Sequence, residues 1–290
     1  LNRHALELAV RAGLAMNCKI SGFSKFDRKN YFYPDMPKAY QTTQYNLPVC
    51  YDGYVEIEVD GITKRIGIER IHLEEDAGKL IHDAYGSGSL VDYNRCGVPL
   101  IEIVTRPEMN SAEEARALFE TIKSILEYTG VSDCKMQEGS LRADVNLSVR
   151  PKGQKQFGTR TEMKNLNSIR AVYRASQAEA QRQIEILERG GIVYQETRRW
   201  DDRKGESMAM RNKEESMDYR YFPEPDLLPV IIGEEWVASV EKNMPELPRS
   251  RRDRYVNEFG IPKYDADLIT MNKKLSDIFD RAVAVCGKPK

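Results

Sequence analysis

The sequence predicts an α+β fold: antiparallel sheet with helices packed beneath it, then a small helical module. Three observations carry that expectation. Residues 139–149 and 157–163 alternate apolar and polar in two successive runs, and residues 54–73 do the same around Asp60-Gly61. Two long segments, 111–130 and 168–191, carry an amphipathic helical period instead. The chain has 290 residues, 41% hydrophobic and 31% charged, with a formal net charge of −1. That leaves room for about two domains and a substantial core. The near-zero charge argues against a broadly basic nucleic-acid-coating protein, though not against a local basic patch. Five cysteines (Cys18, Cys50, Cys96, Cys134, Cys286) are scattered, with no pair at metal-ligand spacing, and read as reduced cytosolic thiols. No apolar run approaches a membrane span and no signal peptide is visible. The opening Leu1-Asn2-Arg3 and the close at Cys286-Gly287-Lys288 read as an excerpt from a longer polypeptide.

Taken in order, residues 3–17 form a helix with Leu6, Val10 and Leu14 on one stripe. Ser24–Gln41 then crowds five aromatics, four cations and two prolines together. Pro34 and Pro37 forbid a helix interior or a central strand. The stretch suits a rigid functional loop, a base-stacking surface, or a buried structural loop. In 54–73, Val55, Ile57 and Val59 alternate with Glu56 and Glu58, Asp60-Gly61 turns the chain, and Ile66 and Ile68 return. The apolar phase slips by one to Ile71 and Leu73, predicting a bulge near Arg70 and placing Glu75 on their face. Glu74-Glu75-Asp76 followed by Lys79 is either a site or an acidic solvated turn. Leu80–Ser89, with two glycines, reads as a mobile surface loop.

In Cys96–Thr105, Glu102 stands alone among Leu100, Ile101, Ile103 and Val104. A run apolar on both faces reads as a central strand, and a carboxylate buried there needs a metal or a cation. Ser111 and Glu114 form a capping box for a helix ended by Gly130; Ser168 opens another that stops at Gly190-Gly191. Between them, Leu141, Ala143, Val145, Leu147 and Val149 alternate with Arg142, Asp144, Asn146 and Ser148. If this run pairs with 157–163 as a hairpin, one face carries Arg142, Asp144, Asn146, Arg160, Glu162 and Lys164. That surface is either an ordinary wet sheet face or a seat for phosphate and metal. Residues 192–233 are irregular and strand-like, including Met210–Glu214 and an aromatic, proline-rich Asp218–Leu227. Beyond Pro245 and Pro248, Arg249–Phe259 and Ala266–Val285 read as helices.

Lys25–Tyr40, Leu73–Lys79, Asn94–Val104, Gly139–Ser148, Lys164–Ser168 and Asp218–Leu227 together closely resemble the B subunits of glutamyl/aspartyl-tRNA amidotransferases, from end to end. The resemblance implies a cradle-like antiparallel sheet similar to the glutamine synthetase core over 1–245, and the beginning of a helical tRNA-binding domain over 246–290. It also implies ATP-dependent phosphorylation of the Glu or Asp carboxylate on misacylated tRNA(Gln) or tRNA(Asn). Ammonia, supplied by an amidase partner (the A subunit), then displaces the phosphate. A small third partner (the C subunit) clasps the pair in a cytoplasmic heterotrimer. ATP and Mg²⁺ are the implied cofactors.

In that frame Glu75 and Glu102 match the metal carboxylates, with Asp144 and Glu74 as further candidates. Arg142, Arg160 and Lys164 are the expected phosphate contacts, oriented by Asn146, Asn165 and Asn167. Lys38 and Lys79 are expected at the ammonia exit. The family also carries a Glu and a His on a preceding strand; nothing in Leu1–Asn17 matches them, so this chain alone is expected to bind Mg²⁺ weakly or not at all. Two rivals remain: a non-catalytic scaffold that grips tRNA, and a stand-alone carboxylate–amine ligase.

Overall fold

A computed structural model describes residues 1–82, 88–210 and 218–289. Helix α1 (Arg3–Ala15) leads to β1 (Lys19–Ile20), β2 (Phe23–Ser24), β3 (Asp27–Asn30) and β4 (Tyr40–Thr43). The long hairpin β5 (Cys50–Val59) and β6 (Ile62–Glu75) follows, then β7 (Lys79–His82), β8 (Ser89–Asp92) and β9 (Pro99–Thr105). Helix α2 (Ala112–Tyr128) precedes β10 (Val145–Leu147) and β11 (Thr161–Lys164), and α3 (Ile169–Glu188) precedes β12 (Glu196–Asp201) and β13 (Glu206–Ala209). Short strands β14 (Phe222–Pro223) and β15 (Val230–Ile231) lead into α4 (Glu234–Lys242), α5 (Pro248–Asn257), α6 (Lys263–Thr270) and α7 (Lys273–Cys286).

Two four-stranded sheets dominate, in orders β1-β5-β6-β9 and β10-β11-β12-β13. The first is antiparallel throughout, and its turn needs Asp60 (φ 51°) and Gly61 (φ 76°) both left-handed, the two-residue geometry that matches strand twist. The expected bulge is present: Ile68 faces Thr105 and Arg70 faces Val104, leaving Glu69 as the extra residue. Val55, Ile57, Ile66, Ile68, Ile71 and Leu73 are buried, covered by α1 and α2. Gly13 of α1 lies so close to Cys50 that a Cβ there would collide with its sulfur, which lets the helix sit down on β5.

The hairpin expected from 139–163 is present but short. Only Val145–Leu147 pairs with Thr161–Met163. Residues 139–144, which alternate as well, follow a 3₁₀ turn at Met136–Glu138 and join no strand. The second sheet also contains a parallel pair, β11 with β12, because the 20 residues of α3 return the chain to the same end. Ser111 and Ser168 cap α2 and α3 as expected, although the Glu114 carboxylate reaches the Asn110 N–H rather than its cap residue.

Three further expectations change. Most of Ser24–Gln41 is a β3–β4 hairpin whose two prolines sit in its connection, so the irregular part is that connection and the short link from β2. The ends of the expected loop at 80–89 are the paired strands β7 and β8, and 83–87 lie outside the described residues, as does 211–217. The expected helix Ala266–Val285 is divided at Asn272, whose side chain caps α7. α5–α7 close over Tyr255, Ile261 and Ala266 as a small core of their own. They dock through Arg249 and Lys263 on Glu56 and Glu58, and through the buried Tyr128 hydroxyl donating to the Thr270 carbonyl.

Candidate active site

The bulge at Glu69 decides what the end of β6 presents. Past it, Ile71 and Leu73 point into the core, so His72 and Glu74 share the opposite face. His72 is the direct cross-strand neighbour of Glu102 on β9. Its Nε2 lies 3.6 Å from a Glu74 carboxylate oxygen and 3.7 Å from one of Glu102. One ligand atom from each residue falls within 4.8 Å of the other two. Among the described residues neither Glu74 nor Glu102 meets a lysine or arginine, and the buried His72 Nδ1 has no hydrogen-bond partner.

Glu102 departs from expectation. The sequence places it inside hydrocarbon on a central strand, but β9 is an edge strand and the Glu102 side chain is 53% exposed. The reason lies in the strand's two faces. Ile101 and Ile103 pack against the main core, whereas Leu100, Glu102 and Val104 look out from the other, thinly covered face. Its chemical interest therefore comes from company rather than burial.

The three consecutive acids take three separate sets of partners. Glu74 turns to His72 and accepts from the Thr43 hydroxyl at 3.2 Å. Glu75 pairs with Lys38 at 2.6 Å and accepts from the Thr42 backbone N–H at 3.0 Å. Asp76, past the strand end and nearly buried, takes Arg95 and Arg142, the latter at 2.6 Å. The structure thus brings Glu102 together with His72 and Glu74, and Glu75 with Lys38. Gln44 locks this end of β6, its side-chain oxygen accepting from the Leu73 N–H at 2.9 Å.

An aromatic wall stands beside the cluster. The segment from Asp218 docks on β3, with the Asn30 N–H donating to the Tyr219 carbonyl and Arg28 forking onto Glu224. Tyr45 and Tyr221 stack with ring centroids 4.3 Å apart. Burial pushes the Tyr221 hydroxyl up to about 12, helped by Tyr219, Tyr45, Glu74 and Glu102, so it remains a donor at neutral pH. Tyr31 is pushed up to about 12 in the same way, by burial first and then by Asp35 and Glu74.

The second sheet contributes the remaining expected residues. Lys164 lies 3.5 Å from both Asp144 and Glu162. Desolvation raises the Asp144 carboxyl above its ordinary range; Lys164 works against that and Glu162 adds to it. Desolvation would lower Lys164, but Asp144 and Glu162 outweigh it and hold the ammonium above its usual range. Asn146 faces Glu162 across the ladder and is exposed. Arg160, just before β11, is also exposed. Asn165, left-handed at φ 69°, donates its amide to the Trp200 carbonyl, and Asn167 donates to Asn165, so the pair holds the strand end. Lys79 opens β7, opposite Asp92. Arg142 joins the two sheets, since it grips Asp76 and also bears on Asp144.

Sequence reasoning missed His72, Arg95 and the role of Asp76. The alternation Ile71-His72-Leu73-Glu74 does put His72 and Glu74 on one face, a local signal that was available. The arginines come from 19 and 66 residues away, with no local signal.

Among the described residues no helix is long and apolar enough to cross a membrane. A profile of the family described as GatB/GatE catalytic domain matches residues 1–238. The chain is 63% identical over 283 residues to a protein of Caldicellulosiruptor bescii named as the B subunit of aspartyl/glutamyl-tRNA(Asn/Gln) amidotransferase, covering 98% of this chain and 59% of that protein. A protein of the same name from Lachnoclostridium phytofermentans is 62% identical over 290 residues, covering 100% of this chain and 61% of its own length. A third, from Thermoanaerobacter sp., is 60% identical over the same span. This chain therefore spans about three fifths of the length of the curated relatives it matches. With a catalytic-domain profile running from its first residue into α4, and relatives this similar along its whole length, the chain belongs to the GatB/GatE family of tRNA-dependent amidotransferase subunits.

Proposed function

We propose that this chain forms the ATP-using part of an amidotransferase that converts Glu-tRNA(Gln), Asp-tRNA(Asn) or both to the amidated forms. The observation that carries the reading is the His72–Glu74–Glu102 cluster, rich in carboxylate and without a lysine or arginine partner among the described residues. Two carboxylate oxygens and one imidazole nitrogen suit a divalent cation; Mg²⁺ would take the oxygens and keep water elsewhere. Such an ion, when bound, shields phosphate charge. Glu74 replaces Glu75 in this set, because Glu75 is already paired with Lys38. His72 and Glu74 also supply a histidine and a glutamate from within the chain, which raises the expected Mg²⁺ affinity above the near-absence inferred from the sequence.

The reaction has two steps. The aminoacyl carboxylate oxygen bonds to the terminal phosphorus of ATP as the bond to the ADP oxygen breaks. Ammonia then attacks the acyl carbon, the carbon–oxygen bond to phosphate breaks, and the nitrogen loses a proton. Arg142 and Lys164 neutralise charge on the transferring phosphoryl group. Glu75, oriented by Lys38 and the Thr42 N–H, is placed to take that proton. Lys38 and Lys79 line the approach of ammonia from an amidase partner, with a small third protein completing the assembly. The split, mostly antiparallel sheet is read as a cradle of the glutamine synthetase kind, with 246–290 beginning a tRNA-binding helical domain. The five free cysteines fit a cytoplasmic setting.

The test is Glu102→Gln in the full-length protein within its assembled complex. Glu-tRNA-dependent ATP hydrolysis is expected to vanish while tRNA affinity stays within about twofold, a spread below about 0.5 kcal/mol. Unchanged turnover would remove Glu102 from the chemistry and leave the scaffold reading.

A further inference from the structure

The buried acid that follows the cluster is not a metal candidate, because two guanidinium groups already claim it. Asp76 is fixed at its backbone as well: its N–H donates to the Val98 carbonyl at 2.8 Å, and its carbonyl accepts from the Gly97 N–H at 2.9 Å. One carboxylate oxygen accepts from Arg95 through Nε, at 3.0 Å, and through Nη2. The other accepts from Arg142 Nη2 at 2.6 Å and from the Ala77 N–H at 3.0 Å. Arg95 reaches across Gly139, where a Cβ would collide with its Nη1, and that nitrogen leans on the Glu138 carbonyl. Asp76 is 7% exposed, while Arg95 and Arg142 are 39% and 58% exposed.

The arrangement leaves a surplus. A guanidinium has five N–H donors. Arg142 uses one on Asp76, and Arg95 uses two there and one on the Glu138 carbonyl. Among the described residues the remaining donors make no hydrogen bond within the chain. Two cations share one anion, so the trio keeps a net positive charge. Two guanidinium groups held on one carboxylate, with donors left over, can together donate to a tetrahedral oxyanion.

We propose that Asp76 is a positioning residue that holds Arg95 and Arg142 as a two-guanidinium seat for the terminal phosphoryl group of ATP. This rests on the function proposed above and adds two residues to it: Arg95 as a phosphate contact and Asp76 as the group that aims both arginines. Asp76 follows Glu74 by two residues, so the seat and the His72–Glu74–Glu102 set are anchored at the same end of β6. Asp76 itself touches no substrate.

The experiment compares ATP and ADP binding by the full-length protein in its assembled complex, for wild type, Asp76→Asn, Arg95→Ala and Arg142→Lys. Each variant is expected to bind ATP about tenfold or more weakly, the loss of one charge-assisted contact. ADP, lacking the terminal phosphoryl group, is expected to bind within about twofold of wild type. Guanidinium ion added to Arg95→Ala is expected to restore part of the ATP affinity. Equal losses for ATP and ADP, or no loss in either surface arginine variant, overturn the proposal. A wild-type complex that shows no tRNA-dependent ATP hydrolysis refutes the function itself, whereas an active wild type with unaltered variants refutes only the seat.

Discussion

Exchanging Glu74 for glutamine separates the two acids that the sequence makes look equivalent. In the free protein Glu74 and Glu102 are held near each other with only the His72 imidazole between them, their ligand atoms within 4.8 Å. Two full charges at that distance repel by about 3.5 kcal/mol at an effective dielectric of about 20. Glu102 is half exposed, so solvent screening reduces the usable figure to about 1 kcal/mol. Glu74→Gln is therefore expected to raise the melting temperature in EDTA by about 2 °C. MgCl₂ at about ten times its dissociation constant adds about 1.4 kcal/mol to wild type, an upward shift of about 3 °C, and adds nothing to the variant. Glu75→Gln is the control. It breaks the Lys38 pair, whose lysine is 42% exposed, so it costs up to about 1 kcal/mol in both buffers and leaves the Mg²⁺ increment intact. Scanning calorimetry of the three proteins with and without the ion is the assay. A full Mg²⁺ increment in Glu74→Gln, or its loss in Glu75→Gln alone, refutes the assignment of Glu74.

Two more outcomes follow from buried charge elsewhere. Glu179 is fully buried in α3 and accepts from Thr161, Gln183 and Arg182; Glu179→Ala strands these donors and is expected to cost about 3 kcal/mol, read as a melting temperature lower by roughly 6 °C. The forked Arg254 pair holds Glu246 below the ordinary carboxylate range, and Lys273 does the same for Asp277. A depressed carboxyl adds stability above its unfolded pKa and loses it as pH falls through the folded value. Helicity of α5–α7 followed by circular dichroism should therefore decline with acid below the usual glutamate range, and Glu246→Gln should flatten that slope. An unchanged slope would refute the link.

The long hairpin and its bulge were legible because both are local: period-two alternation, a turn whose two residues tolerate positive φ, and a one-residue slip of apolar phase. The capped helices were legible for the same reason. Glu102 was misjudged because Leu100 and Val104 made its strand look doubly covered. Whether a strand's second face is covered depends on what packs there, which no local pattern states. His72 gains its meaning only from the pairing of β6 with β9, and Asp76 only from arginines brought in by two loops. Strand Val145–Leu147 stops short of the alternation that announced it, since Arg142 is drawn to Asp76 rather than into a ladder.

Glu69 sets the phase of everything downstream on its strand. Were that residue instead taken into the ladder as an ordinary strand position, the parity of the last turn of sheet would reverse: Ile71 and Leu73 would face away from the core, and His72 and Glu74 would be driven into hydrocarbon. Three acids that are interchangeable in composition are kept distinct in chemistry by a single insertion upstream of the first.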